Sequence, residues 1–436
     1  MLLRVLRTVS PLVALLAFAC GSHSPELSTP QFDSASSVAI QANITDAIMI
    51  TTDSQGRLAD QIKDQLYFTV GYLNGMGGVA DLANRTVTVK SVAPLAGSAT
   101  LFQVTYDASF RIAWNRGYQV PGSIHIPVPA HGDYQGIQDF YTKYESSCVQ
   151  DRHELSFGNF WYYYRPLMNG CPLAAQSGQE EFAYLLTITT ARGTMNTQGK
   201  YPEYGKVWED GKLVVTAVFG KYSSGTTDND EGISAFNNMY RMLLQNFGRP
   251  SQSNINLRPR EVPGVANPDV RLVFDTGRGP VDVNILLVDS LGGVSSAWNQ
   301  HFNERTAISD LVAYSGHSGL GSNIRNFTRM GQFTPGQYQL YYINGCDTFA
   351  YVGNELAEAH HMANPTSAPS RYVDIITNSM PSPFDSMASS TDNIVVALFN
   401  QQNTYRQILS NINSGQNPNV TGEEDNRWPQ PFDSVP

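Results

Sequence analysis

Residues 311–319 read Leu311-Val312-Ala313-Tyr314-Ser315-Gly316-His317-Ser318-Gly319, and residues 340–348 read Leu340-Tyr341-Tyr342-Ile343-Asn344-Gly345-Cys346-Asp347-Thr348. Each is a short apolar run that ends in glycine-flanked polar residues. Runs of four to eight apolar residues bounded by turn residues are the pattern of strands buried on both faces. His317 and Cys346 stand 29 positions apart (317 to 346). A strand, a crossover helix and a second parallel strand take about 30 residues, so this spacing predicts both side chains at the same end of neighbouring strands. Residues 323–330 supply the crossover helix. In an open α/β sheet, that end is where ligands bind.

The same alternation extends outward. Residues 283–288 are apolar apart from Asn284, and 373–377 are read as a fourth strand. Helical stretches are predicted over 296–308 and 355–362, with one long closing helix over 394–411. Strands alternating with helices imply an α/β domain, a mostly parallel sheet with helices on both faces. Residues 249–268, rich in Pro, Asn and Arg, carry little periodicity and mark the expected boundary, so this domain is read as 269–412. The polar, Pro-containing stretch 413–436 is read as a disordered tail.

Before the boundary the pattern differs. Leu58, Ile62, Leu66, Val70 and Leu73 recur at helical spacing, and Gly75, Gly77 and Gly78 stop that helix. Phe102, Val104, Tyr106, Ala108, Phe110, Ile112 and Trp114 share one parity, the mark of a half-buried strand. A strand over 212–219 precedes a helix with Ile233, Phe236, Tyr240, Leu243 and Phe247 on one face. Residues 38–268 are therefore read as an α+β domain with an antiparallel sheet. The aromatic run Phe160-Trp161-Tyr162-Tyr163-Tyr164 is read as packing rather than as a ligand platform. His125, His131 and His153 match no metal-ligand spacing, nor do Glu355, Glu358, His360 and His361, so neither metal nor cofactor is predicted.

The N-terminus explains the cysteine usage. Arg4 and Arg7, then an apolar stretch to Ala19, then Cys20-Gly21-Ser22 match a secretory signal over 1–19. Its apolar core is shorter than the roughly 20 residues a bilayer span needs. Leu16-Ala17-Phe18-Ala19-Cys20 resembles a bacterial lipobox, which implies lipidation of Cys20, a tether over 20–37, and an outer-membrane destination given Gly21. Export permits disulfides, and Cys148 and Cys171 are close enough in sequence to pair. Cys346 is the one of four cysteines left over. A net charge of −10 without a basic cluster argues against nucleic-acid binding. Hydrophobic residues at 41% and aromatics at 11% support a packed core.

Thiolate, not thiol, is the nucleophile, so Cys346 needs a base or cation beside it. His317 is placed to be that base and to protonate a leaving amine. The amide N–H groups of Cys346 and of Ser318 are candidates to hold an oxyanion.

A strand ending in Tyr314-Ser315-Gly316-His317-Ser318-Gly319, a crossover, and a strand ending in Asn344-Gly345-Cys346-Asp347-Thr348 resemble the caspase-like cysteine peptidases, the clan of caspases, legumains, gingipains and separases. The resemblance covers 270–412 and implies a caspase-haemoglobinase fold, His317 as general base and Cys346 as nucleophile. Ser318 stands where the clan has glycine, and Asp347 puts a carboxylate next to the sulfur. Asp289, Asn378 and Ser379, at the ends of their strands, are candidates to line the specificity pocket; Asp289 would select a basic side chain. The expected partners are a peptide or protein substrate and, through Cys20, a membrane. A different class of reading is a non-catalytic envelope lipoprotein, with a degenerate caspase-like domain and a binding N-terminal domain. Gly316-His317-Ser318 also evokes a serine nucleophile elbow, but Leu320 stands where the elbow needs glycine.

Overall fold

Leu311–Ser315 and Gln339–Asn344 are adjacent parallel strands, in register from Leu311 opposite Leu340 to Ser315 opposite Asn344. A computed structural model of the chain describes residues 36–433, apart from 54–55, 151, 153–154, 176–181, 193–198 and 228–229. The predicted signal peptide, lipobox and most of the tether, with Cys20, lie outside the described residues, as does His153.

The described residues form a mixed α/β structure with two sheets. The first holds β1 (Ser37–Thr51), β2 (Gly78–Pro94), β3 (Phe102–Asn115), β4 (Ser123–Pro129) and β5 (Ala183–Arg192) in the order β2-β3-β1-β5-β4, antiparallel throughout. The parity predicted for β3 is observed: Val104, Tyr106, Ala108, Phe110, Ile112 and Trp114 are all buried. The second sheet has eight strands: β6 (Leu213–Gly220), β7 (Gln252–Ser253), β8 (Asp269–Thr276), β9 (Gly279–Val288), β10 (Leu311–Ser315), β11 (Gln339–Asn344), β12 (Val373–Asn378) and β13 (Pro418–Thr421). Their order is β13-β12-β11-β10-β6-β9-β8-β7. The five central strands, β12 to β9, are parallel, and the edge strands pair antiparallel.

The helices are α1 (Leu58–Asn74), α2 (Tyr134–Tyr144), α3 (Phe160–Tyr163), α4 (Tyr204–Val207), α5 (Glu231–Phe247), α6 (Ser296–Thr306), α7 (Ser322–Phe327), α8 (Glu355–Ala363), α9 (Met387–Asn400) and α10 (Tyr405–Ser410). Strand alternation decides which of them covers which face. Val312, Tyr314, Tyr341 and Ile343 share a core with Phe302 of α6, Phe327 of α7 and Leu356 of α8. Leu311, Ala313, Leu340 and Tyr342 share the other with Phe236 of α5, Leu398 of α9 and Ile408 of α10. Helices thus lie on both faces, as the alternation predicts. The first of these cores continues without a break into Ile40, Tyr106 and Phe110 of the first sheet. Among the described residues, no helix is long and apolar enough to cross a membrane.

Three boundaries differ from the sequence reading. The boundary expected at 249–268 falls inside the second sheet, because β6 sits at its centre between β9 and β10. The change of sheet comes between β5 and β6, and the described residues form one compact unit. The stretch expected to be a disordered tail contains β13, paired to β12 from Ile375–Thr421 to Asn378–Pro418. The single closing helix is two: Gln401 turns left-handed at φ 56°, and Thr404 caps a new helix through the Gln407 N–H. Cys148 and Cys171 form the expected disulfide, with Cα atoms 4.8 Å apart.

Candidate active site

Counted along the chain, the parallel strands β6, β9, β10, β11 and β12 lie in the spatial order 2-1-3-4-5. Successive connections leave the first strand in opposite directions, which opens a crevice between the carboxyl ends of the first and third strands. Those are β6 and β10. A crevice of about 750 Å³ is found at that end, and both His317 and Cys346 line it.

The two side chains occupy equivalent places. Ser315 is opposite Asn344 in the ladder, so His317 and Cys346 each lie two residues past the end of their strand. The Gly316 N–H donates to the Asn344 carbonyl at 3.0 Å, which carries the pairing one step further. Gly345 packs directly on the histidine loop: a Cβ there would sit 2.7 Å from the Gly316 carbonyl oxygen and 3.3 Å from the Ser318 nitrogen. Only a residue without a side chain lets the Cys346 loop come this close.

The histidine is fixed from three sides. Its carbonyl accepts from the Tyr314 hydroxyl at 2.7 Å and from Asn323 Nδ2 at 2.9 Å. Its Nε2 is 3.0 Å from the Tyr222 carbonyl oxygen. A carbonyl only accepts, so Nε2 carries a proton and the neutral ring keeps its lone pair on Nδ1. The ring itself lies between Tyr222 and Phe384, with centroids 5.0 and 4.9 Å away. Downstream the chain turns left-handed for three residues, Gly319, Leu320 and Gly321, at φ 58°, 50° and 87°. That turn presents Ser318 to the crevice, and the Ser318 N–H has no acceptor among the described residues.

The cysteine loop is braced from below. Asn344 Oδ1 accepts from Asn378 Nδ2 at 2.7 Å and from the Ser382 hydroxyl at 2.5 Å. Asn378 Nδ2 also reaches the Gly345 carbonyl at 3.2 Å, and the Thr348 hydroxyl ties to the Ile343 carbonyl at 2.8 Å. Cys346 itself is half-buried.

Asp347 is left-handed at φ 52° and fully buried, and it is turned away from the crevice wall. Its Oδ1 accepts from Asn74 Nδ2 at 2.7 Å, and Asn74 Oδ1 accepts from Arg165 Nη2 at 2.7 Å. Burial pushes the Asp347 carboxyl up to about 7, with Tyr162, the Arg165 charge and Asn74 pulling the other way. The carboxylate next to the sulfur is therefore engaged elsewhere and partly neutral at physiological pH, which limits its repulsion of a thiolate.

The other candidates fall differently. Asp289 does not line the crevice; it pairs with Lys221 at 2.9 Å and accepts from the Gly225 N–H at 3.1 Å, and these two partners hold its carboxyl below the ordinary range. Asn378 and Ser379 are fully buried: the first holds the cysteine loop, and the second accepts from Asn419 Nδ2 at 2.8 Å. None of the three lines the crevice. His360 is buried in the core against Phe333, and burial pushes it down to about 3. Among the described residues, no group of three His, Cys, Asp or Glu side chains is placed to hold a metal ion.

The sequence reading missed the rest of the crevice wall: Tyr162, Tyr163, Tyr222, Glu231, Asn238 and Asp385. The aromatic run does two jobs. Phe160 and Tyr164, four apart on one side, pack with Phe68 and Phe140, while Tyr162 and Tyr163 face the crevice. Glu231 and Asn238, seven apart on α5, mark its crevice side; that spacing was a readable signal. No protein-family model matches the chain, and no curated protein matches it.

Proposed function

We propose that the protein is a caspase-like cysteine endopeptidase, exported and held at the bacterial envelope by a lipid on Cys20. One observation carries the reading. An imidazole and a thiol sit at equivalent positions past adjacent parallel strands, on one crevice at the point where the strand order reverses.

In this reading the Cys346 sulfur attacks the scissile carbonyl carbon, and the C–N bond breaks after a tetrahedral intermediate. His317 takes the thiol proton on Nδ1 and passes it to the leaving amine. The Tyr222 carbonyl, accepting from Nε2, both orients the ring and stabilises its protonated form. The Ser318 and Cys346 N–H groups receive the oxyanion. Removing one such donor costs about 10²- to 10³-fold in rate. Water then hydrolyses the thioester, with His317 as base. The crevice is partly open to solvent, which gives a peptide access to it.

The test is hydrolysis of a quenched fluorescent peptide library by the full chain and by Cys346→Ala and His317→Ala. Each substitution is expected to abolish cleavage while leaving the melting temperature close to that of the parent. Cleavage that survives Cys346→Ala at full rate refutes the mechanism. For the anchor, Cys20→Ala is expected to release the protein from the membrane fraction of bacteria expressing it.

A further inference from the structure

The crevice reaches well past its two reactive side chains. Along α5 it is lined by Glu231, Ser234, Ala235 and Asn238, and steps of three, four and seven put these on one face of the helix. The turn after β12, from Ser382 to Asp385, lines it as well, and Phe384–Ser386 packs against α5. The rings of Tyr222, Phe384 and His317 join this wall to the reactive end. Their centroids are 5.3, 4.9 and 5.0 Å apart. Tyr222 still leaves 48% of its surface exposed.

The charge on this wall has one sign. Glu231 and Asp385 line the crevice, and no lysine or arginine does. The neighbouring charged groups are already engaged. Asp230 Oδ1 accepts from the Tyr222, Gly232 and Ile233 N–H groups. Its Oδ2 accepts from the Ser223 N–H and the Thr226 hydroxyl. Lys221, just past β6, pairs with Asp289 at 2.9 Å. Glu231 and Asp385 are exposed, and neither makes an ion pair or hydrogen bond among the described residues. Two carboxylates without a cation thus share one crevice with an exposed aromatic ring, the imidazole and the thiol.

We infer that this crevice selects a peptide with a lysine or arginine beside the bond that is cut, an inference that rests on the peptidase reading. The charged head of that side chain meets Glu231 and Asp385, and its stem lies along Tyr222 and Phe384. Long basic side chains are apolar along the stem and charged at the tip, and aromatic faces attract cations. An acidic side chain would meet two like charges here. A neutral apolar one would cover the rings but strip water from the carboxylates with no return.

The test compares quenched fluorescent peptides that differ only in having Arg, Lys, Gln or Glu at successive positions on either side of the cut bond. At the best position the full chain is expected to give at least about tenfold higher kcat/KM with Arg or Lys than with Gln, and the lowest value with Glu. Glu231→Gln and Asp385→Asn should each lower the Arg-to-Gln ratio about three- to tenfold, between the effects of an exposed ion pair and a charge-assisted hydrogen bond. Glu261→Gln, which removes the same charge outside the crevice, should leave the ratio as it was. Equal kcat/KM for Arg and Gln overturns the inference and leaves the peptidase reading in place. So does a ratio that survives Glu231→Gln and Asp385→Asn together. If no peptide is cut, the peptidase reading falls, and titration calorimetry on Cys346→Ala decides what the crevice prefers. The Arg peptide is expected to bind at least about tenfold more tightly than the Gln peptide; equal affinity, or binding of neither, overturns the inference. Should Glu231→Gln, in the first turn of α5, lower the melting temperature, Asp385→Asn carries the comparison alone.

Discussion

Asp347→Asn is the substitution whose effect can be worked most completely. The carboxyl is fully buried, and burial raises it from its ordinary 3.8 to about 7. Between those two pH values the unfolded chain has released this proton while the folded chain keeps it. The folded state then binds more protons, so stability falls as pH rises through that window and is flat above it. At about 1.4 kcal/mol for each pH unit, the loss on account of this one group is roughly 4 kcal/mol. Asparagine has nearly the same shape, and its Oδ1 still accepts from Asn74, but it has no proton to lose. Denaturant unfolding of parent and variant from about pH 4 to about pH 8 measures the difference. The variant is expected to gain on the parent by roughly 4 kcal/mol across the window. The other raised carboxyls, Asp64, Asp310, Asp374, Asp392 and Asp425, cancel in that difference. A difference that stays constant with pH refutes the reasoning, and would mean that the Arg165 charge or water offsets the burial. The same variant removes a like charge beside the sulfur, so alkylation of Cys346 by iodoacetamide at neutral pH should speed up.

Two further outcomes follow from close packing and from the edge strand. Gly345→Ala pushes a methyl group to 2.7 Å from the Gly316 carbonyl; it should cost about 1–3 kcal/mol in unfolding free energy. Separating the two loops should also cut peptide hydrolysis about 10²-fold, the usual effect of a misplacement of about 1 Å. Unchanged hydrolysis would show that the contact does not set the site. Asn419→Ala leaves the Thr377 and Ser379 hydroxyls without their partner, and should cost about 1–3 kcal/mol and open the 413–433 segment to trypsin. Ready cleavage of that segment in the parent protein would show that β13 is not stably docked.

What the sequence disclosed and what it concealed have separate physical causes. The strands β9 to β11 were legible because burial on both faces demands nearly continuous apolar runs, and Val283–Val288, interrupted only by Asn284, and Leu340–Ile343 are such runs. The placement of His317 and Cys346 past the ends of adjacent strands was legible because a crossover has a nearly fixed length. The place of β6 was not. Its eight residues are all buried, so the strand itself is plain, but chain order says nothing about a first strand that later ones flank on both sides. The last segment misled through composition: its Asn and Ser residues look solvated, yet Asn419 and Asn426 are buried and hydrogen-bonded to Thr377 and Asp374. Asn378 and Ser379 stand at the expected sheet edge, and only the structure shows them buried, the first bonded to the Cys346 loop and the second to Asn419 of β13.

The first sheet and its helices then cease to be an unassigned module. A non-glycine residue in the left-handed region costs about 1–2 kcal/mol, and an ionised carboxyl out of water costs more. Asp347 bears the first cost, and burial that pushes its carboxyl up to about 7 spares it only part of the second at neutral pH, so something must hold it there one residue after the candidate nucleophile. What holds it comes from the N-terminal half: Asn74 at the end of α1, backed by Arg165, with Tyr162 alongside. The turn beyond is gripped from the same side, by Asn84 Nδ2 on the Val352 carbonyl at 3.1 Å and by Arg111 over the Phe349 ring at 5.6 Å. A fragment beginning at residue 269 would lose these holds. It would also lose β6, and with it the strand that joins β9 to β10 and carries Tyr222 to the histidine. The candidate site is therefore a product of the whole chain from β1 to β13, and the smallest unit in which its geometry can persist is larger than the domain that carries its two reactive side chains.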